Sequence, residues 1–253
     1  MVENGSVQNL LSSQHEDLNV EKWFLMSSPL PVLTILISYL VFVLKTGPDY
    51  MKKKKPFNLN GVLVFYNALQ VIFSIVLFHM GCDLILRNGL ISPRKCITES
   101  KDLMLYIAFA TYYYFIAKVT ELLDTVFFVL RKKNSQITFL HVYHHTIMVA
   151  ITWSTLKYEP TYSTIFLGTI NSFVHIVMYA YYGLSSFPGL AKYLWWKKYL
   201  TSMQMIQFLL IFAQAVSSYH TLPKRCEEWC LRPVAISRGL LGPMGLSYYG
   251  LSL

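Results

Sequence analysis

Apolar residues run through this chain in six long stretches separated by short polar joints, at about residues 29–44, 61–80, 105–130, 138–156, 164–182 and 199–219. Most of these reach the roughly 17 to 25 residues that a bilayer-spanning helix needs, the first being slightly short. In lipid every backbone amide must be paired internally, which leaves helices or closed barrels, and stretches this long predict helices. The predicted fold is therefore all-α, a polytopic membrane helical bundle of six clear spans with a doubtful seventh. Residues 234–253 would have to supply that seventh span, but Arg238, Pro243 and four glycines interrupt them. Short joints, no internal repeat and no low-complexity linker predict a single membrane domain over residues 29–219. A polar segment, 1–28, precedes it, and residues 220–253 follow as a loop and an atypical end.

Composition agrees with the pattern. Of 253 residues, 54% are hydrophobic and only 14% charged, too apolar for a soluble domain of this length. A net charge of +9 could signal nucleic acid, but the basic residues sit in short runs between apolar stretches, where they set orientation. No nucleic-acid partner is expected. If Lys52 to Lys55 are cytosolic, alternation puts Arg131, Lys132, Lys133, Lys192, Lys197 and Lys198 on the same side and the amino terminus in the lumen. The amino-terminal segment carries Asn4-Gly5-Ser6, a glycosylation acceptor pattern, and lacks the basic start and cleavage site of a removable signal, so the first span is expected to stay. Cys96, Cys226 and Cys230 fall on the lumenal side and Cys82 near that face. An oxidising lumen permits several pairings, with Cys96 and Cys226 the candidates for a disulfide.

Charge inside the spans changes the picture from architecture to chemistry. His141, His144 and His145 stand at i, i+3 and i+4, on one face of a helix, within a segment otherwise suited to lipid. One such histidine is most simply a satisfied core residue, whereas three on one face are most simply a site. The third span carries Lys118, Glu121 and Asp124, the fifth His175, the second Asn67 and Gln70, and the sixth Thr201, Gln204 and Gln207. At a rise of about 1.5 Å per residue, all but the second span's pair lie roughly 3 to 18 Å from the cytosolic helix ends. The lumenal halves, such as residues 147–151 and 208–213, are nearly bare of polar groups. The pattern predicts one buried polar chamber open to the cytosol with an apolar continuation behind it, a head group in front and a hydrocarbon tail in the dry part. Helix-to-helix hydrogen bonding explains Asn67, Gln70, Thr201 and Gln207 equally well, and Lys118 with Glu121 could be a self-neutralising pair.

Four motifs in order on consecutive spans carry a resemblance. Lys118-x-x-Glu121-x-x-Asp124-Thr125, His141-x-x-His144-His145, His175-x-x-Met178-Tyr179-x-Tyr181-Tyr182 and Thr201-x-x-Gln204-x-x-Gln207 are together similar to those of the very-long-chain fatty acid elongases. The likeness covers about residues 29–226. It implies a 3-oxoacyl-CoA synthase of the endoplasmic reticulum membrane, an acyltransferase condensing acyl-CoA with malonyl-CoA, with a substrate tunnel ringed by six of seven spans and closed at the lumenal end. Members of the family end in a last apolar helix and a lysine-rich tail, and this chain has neither clearly.

What the resemblance implies for single residues follows from the chemistry. A condensation needs an acyl carrier, and no cysteine lies mid-span, whereas a neutral imidazole attacks thioesters. The family's histidine-linked intermediate falls on the middle histidine, His144 here. His141 and His145 are expected to position it or shuttle protons, and His175 to bind the enolate oxygen. Asp124 and Glu121 would hold imidazoles in the useful tautomer while Lys118 neutralises the carboxylates. Asn67, Gln70, Thr125, Asn171, Met178, Tyr179, Tyr182, Thr201, Gln204 and Gln207 are expected to line the substrate path, Gln204 and Gln207 on the thioester or pantetheine arm. Arg131, Lys132, Lys133, Lys197 and Lys198 suit the CoA phosphates. No metal and no cofactor beyond the CoA thioester substrates is expected. The expected partners are membrane lipid, other enzymes of the elongation cycle and a second copy of the chain. Three other readings compete: a di-iron desaturase, which needs more histidines than the seven present, a membrane lipid transporter, and an inactive or truncated elongase-like protein.

Overall fold

The computed structural model of the chain describes residues 19–88, 101–158, 162–191 and 193–221. Among these, helices are the only regular structure, as the sequence predicts. The elements are α1 (Pro29–Val41), a π turn (Phe42–Thr46), α2 (Gly47–Lys52), α3 (Asn60–Asn88), α4 (Lys101–Leu130), α5 (Phe139–Tyr158), α6 (Tyr162–Ser185), α7 (Pro188–Ala191) and α8 (Lys197–Thr221). Each predicted span thus has its helix, but the bounds move. The first stretch does not end near residue 44: α1, the π turn and α2 run on as one rod to Lys52. Pro48 would remove an amide donor and press its ring on the preceding turn of an α-helix. The chain widens there instead, Gly47 N–H bonding to Phe42 O five residues back.

Among the described residues, three rods are long and apolar enough to cross a membrane, Pro29–Lys52, Asn60–Arg87 and Thr164–Ser185. In α4 and α5, buried charges and imidazoles dilute an otherwise lipid-compatible sequence. Any seventh span at 234–253, the Cys96 and Cys226 pairing and Asn4 lie outside the described residues.

Small residues set how the helices approach. α3 and α6 run antiparallel in the closest pairing of the bundle, with Asn67 beside Gly183 toward one end and Gly81 beside Thr169 toward the other. A methyl group on Gly81 would overlap Thr169 Oγ1, so the glycine is what lets the two backbones meet. The largest core joins the other half. Leu36 and Val43 of the first rod pack with Phe115 and Val129 of α4 and Val149 and Leu156 of α5. Phe57 N–H, in the joint before α3, donates to Leu130 O at 3.1 Å and ties the end of the first rod to the end of α4.

Ahead of α1, residues 19–28 fold back across the far end of α4 and α5 as a strap. Val20 and Met26 are buried in the same core, and the Trp23 ring stacks on Phe109 at 4.9 Å between centroids. Trp153 Nε1 donates to Leu25 O (2.9 Å), while Lys157 Nζ donates to Met26 O (3.2 Å) and pairs with Glu21 Oε1 at 2.5 Å. Leu25 turns the corner with a φ of 66°, a left-handed conformation that a leucine holds only because its neighbours are pinned.

Candidate functional site

Five helices send polar side chains into one chamber at the end of the bundle opposite the strap. The i, i+3, i+4 spacing read from the sequence does what helix geometry requires, and each motif presents a single face.

The centre is a buried ion pair on α4. Lys118 Nζ lies 2.9 and 3.0 Å from Glu121 Oε1 and Oε2 and 2.7 Å from Asn171 Oδ1 of α6. Both charged residues are 2% exposed. Tyr114 OH donates to the same Asn171 oxygen at 2.9 Å, and its ring lies under the ammonium, 4.8 Å from centroid to Nζ. Charges taken this far from water stand only when every donor and acceptor is answered.

His175 of α6 joins this pair: its Nδ1 sits 3.0 Å from Glu121 Oε1, which fixes the ring and leaves Nε2 for the chamber. The box histidines of α5 pack on one another, with 4.4 Å between the ring centroids of His141 and His145 and 5.4 Å between His144 and His145. Histidines from two separate helices thus bond to α4, His175 to Glu121 and His141 to Thr125 one turn further on.

Asp124, one turn further along α4, departs from the expectation that both carboxylates hold imidazoles. Its Oδ2 accepts from Tyr179 OH of α6 at 2.7 Å. Tyr179, fully buried, stands edge-on to His175, 5.5 Å between centroids. Asn67 and Gln70 of α3 direct their amide nitrogens to protein: Asn67 Nδ2 to Leu63 O (2.6 Å), and Gln70 Nε2 to Tyr66 OH (3.0 Å) and Thr120 Oγ1 (3.1 Å). Gln70 fits the helix-to-helix reading through Thr120 of α4, whereas the Asn67 amide bonds back onto its own helix. Thr125, with no exposed surface, likewise meets protein on two sides, Tyr39 OH at 2.9 Å and His141 Nε2 at 3.0 Å.

The sixth predicted span joins the chamber less fully. On α8, Gln207 is buried with no hydrogen-bond partner for its Oε1 among the described residues, Gln204 Nε2 lies 3.9 Å from Met178 Sδ of α6, and Thr201 is exposed. Thr201 thus faces out of the chamber that the motif spacing predicted for it. Tyr182 is partly exposed and packs on Tyr179. Arg131 and Lys132 are half-buried just past the end of α4, and Lys133, Lys197 and Lys198 are exposed. Sequence reading missed four hydroxyl-bearing residues of the network: Tyr39, Tyr66, Tyr114 and Thr120. Tyr114 could have been found, because it stands four residues before Lys118 on the same helical face.

Beyond Tyr114, a small, partly open cavity of about 20 Å³ lies between α3, α4 and α6, bounded by Leu77, Gly81, Thr111, Tyr114, Gly168 and Ser172.

Comparison with known proteins agrees with the motif resemblance. Residues 24–249 match the model of the ELO family, described as the GNS1/SUR4 family. The chain is 40% identical over 256 residues to human very long chain fatty acid elongase 4, covering 93% of this chain and 80% of that protein. It is 42% identical over 205 residues to rat very long chain fatty acid elongase 2, covering 80% and 72%, and 44% identical over 208 residues to rat very long chain fatty acid elongase 7, covering 77% and 70%. With matched length, identity and a polar chamber built from the motif residues, the chain belongs to the ELO family, alongside these elongases.

Proposed function

We propose that this membrane protein is the condensing enzyme of fatty acid elongation, joining malonyl-CoA to a long-chain acyl-CoA and releasing carbon dioxide, CoA and a 3-oxoacyl-CoA two carbons longer. The observation that carries the reading is the buried Lys118–Glu121–His175 network on α4 and α6 together with the ring-to-ring histidine box of α5, which Thr125 ties to α4. His144 attacks the acyl-CoA carbonyl carbon, the carbon–sulfur bond breaks, and CoA leaves as the thiol with the proton the imidazole gives up. Malonyl-CoA then loses carbon dioxide, and the electron pair of the broken carbon–carbon bond becomes an enolate. Its α-carbon attacks the acyl-imidazole, the carbon–nitrogen bond breaks, and the departing imidazole takes up one proton from solvent, which regenerates neutral His144. His175, with Nδ1 turned to Glu121, keeps Nε2 for the enolate oxygen, to which it donates when protonated. Lys118 holds Glu121 ionised and in place, so neither histidine depends on water for its orientation.

The helix stretches at residues 147–151 and 208–213, bare of polar side chains, support an acyl chain lying away from the histidines, in the apolar part of the bundle. The basic residues at the ends of α4 and α8 suit the CoA phosphates at the other end. The same reading places the protein in the endoplasmic reticulum membrane beside other enzymes of the elongation cycle, with CoA thioesters as its only small-molecule requirement.

The test is elongation in microsomes with labelled malonyl-CoA and a panel of acyl-CoAs, paired with intact-mass measurement after exposure to acyl-CoA alone. Wild-type protein should extend the chains and gain the mass of one acyl group; His144→Ala should do neither. Full elongation by His144→Ala would overturn the reading, and a wild-type protein that binds acyl-CoA without any adduct or product would favour lipid transport.

A further inference from the structure

We infer that Tyr39, on the first rod, is a positioning residue for the histidine box, acting through Thr125 on His141. The inference rests on the condensation reading for its kinetic consequence, but its geometry stands alone. Tyr39 OH donates to Thr125 Oγ1 at 2.9 Å, and Thr125 Oγ1 meets His141 Nε2 at 3.0 Å. All three come from different helices, α1, α4 and α5. Tyr39 is buried, and Thr125 has no exposed surface, so water does not compete for either bond.

Bond direction follows from acidity and from the proton count. A phenol is far more acidic than an aliphatic alcohol, so between the two hydroxyls Tyr39 is the donor and Thr125 the acceptor. The single proton of Thr125 is then free for the lone pair of His141 Nε2. That holds His141 neutral, with its proton on Nδ1, and stops the ring from flipping. A fixed His141 matters to the box because its ring centroid is 4.4 Å from that of His145, which in turn packs against His144.

The first rod is built to deliver this hydroxyl. Beyond the π turn, Gly47 meets Val129 of α4 so closely that a Cβ would clash with Val129 Cγ1 at 2.8 Å, and Phe57 N–H grips Leu130 O. Val43 and Val129 share the same core on the turn between. The rod is thus locked to α4 on the chamber side of Tyr39. Thr125, which the motif spacing places among substrate-binding residues, is assigned here to the protein's own scaffold.

Three variants and two readouts test the chain. Thr125→Val keeps the shape and removes the hydroxyl, Tyr39→Phe removes only the upstream donor, and Thr125→Ser puts the hydroxyl back. In elongation assays kcat should fall about ten-fold in Thr125→Val and about three- to five-fold in Tyr39→Phe, with KM for acyl-CoA unmoved. Thr125→Ser should recover most of the loss. In nanodiscs, nitrogen-15 spectra of labelled histidines, with His141 assigned by His141→Gln, should show an Nδ1–H tautomer that becomes mixed in Thr125→Val and in Tyr39→Phe. A wild-type tautomer retained in both variants would overturn the inference, as would a KM change at constant kcat. If the wild-type protein makes no 3-oxoacyl product, the condensation reading is what fails, and the spectra alone decide the role of Tyr39.

Discussion

The two ends of the α4–α5 pair hold polar groups in opposite ways. At the strap end, Trp153 and Lys157 donate to backbone carbonyls of Leu25 and Met26, acceptors that cannot move without unfolding the turn. At the chamber end, Lys118, Glu121, Asn171, His175 and Tyr179 bond side chain to side chain across helices. Bonds of the first kind fasten. Bonds of the second kind fix rings while leaving nitrogens that can take and give protons, which is what a reacting site needs. The difference teaches that the same helices serve as a clamp at one end and as a scaffold for titratable side chains at the other.

The largest break in that contrast should come from the chamber. Lys118→Met strips a buried carboxylate of its counter-charge, and should cost about 3 to 5 kcal/mol in thermal or denaturant melts in detergent together with nearly all activity. Removing both charges with Lys118→Met and Glu121→Leu should recover stability but not turnover. Gly81→Ala forces α3 and α6 apart beside Thr169 and should cost about 1 to 3 kcal/mol, measurable by the same melts and partly relieved by Thr169→Ala. Trp153→Phe deletes one donor at the strap and should cost about 1 kcal/mol, with elongation nearly unchanged; a large loss of activity would erase the distinction between the two ends.

The smallest effect belongs to Glu21. The Lys157 ammonium beside it holds its carboxyl below the usual carboxylate range. A depressed carboxyl contributes stability above its unfolded value, about 4.3 for glutamate, and loses it as pH falls through the lower folded value. Glu21→Gln should therefore melt slightly lower than wild type at neutral pH, and the gap should close in acid. A gap that widened in acid would mean that Glu21 acts through something other than this pair.

Much of the chamber was legible because helical periodicity is strict. Residues three and four apart must share a face, so Lys118 with Glu121 and the three box histidines could be grouped from their numbers alone. Which side chain meets which across helices depends on rotation and offset, and that information is absent from any single segment. Asp124 thus meets Tyr179 where an imidazole was expected, and Thr201 turns outward while Gln207, on the same helix, is buried. Tyr39 escaped notice because it sits in an apolar stretch where Thr34 and Ser38 also carry hydroxyls and no spacing singles one of them out. The rod containing it runs past the apolar stretch at 29–44 and through Gly47-Pro48, a pair that ends most helices. The chain avoids the break by widening one turn.

That widened turn has a consequence for how the protein tolerates change. A π turn holds one residue more than the α turn it replaces, so it absorbs an extra residue while the helix on either side keeps its facing. Deleting a single residue from Phe42–Thr46 would return the turn to α geometry and leave Tyr39 facing nearly as before, whereas deleting Leu40 from α1 would swing it by about 100° around the axis relative to Gly47, since each α-helical residue advances by that angle. The phenol would then leave Thr125 while the side chains of the histidine box stayed in place.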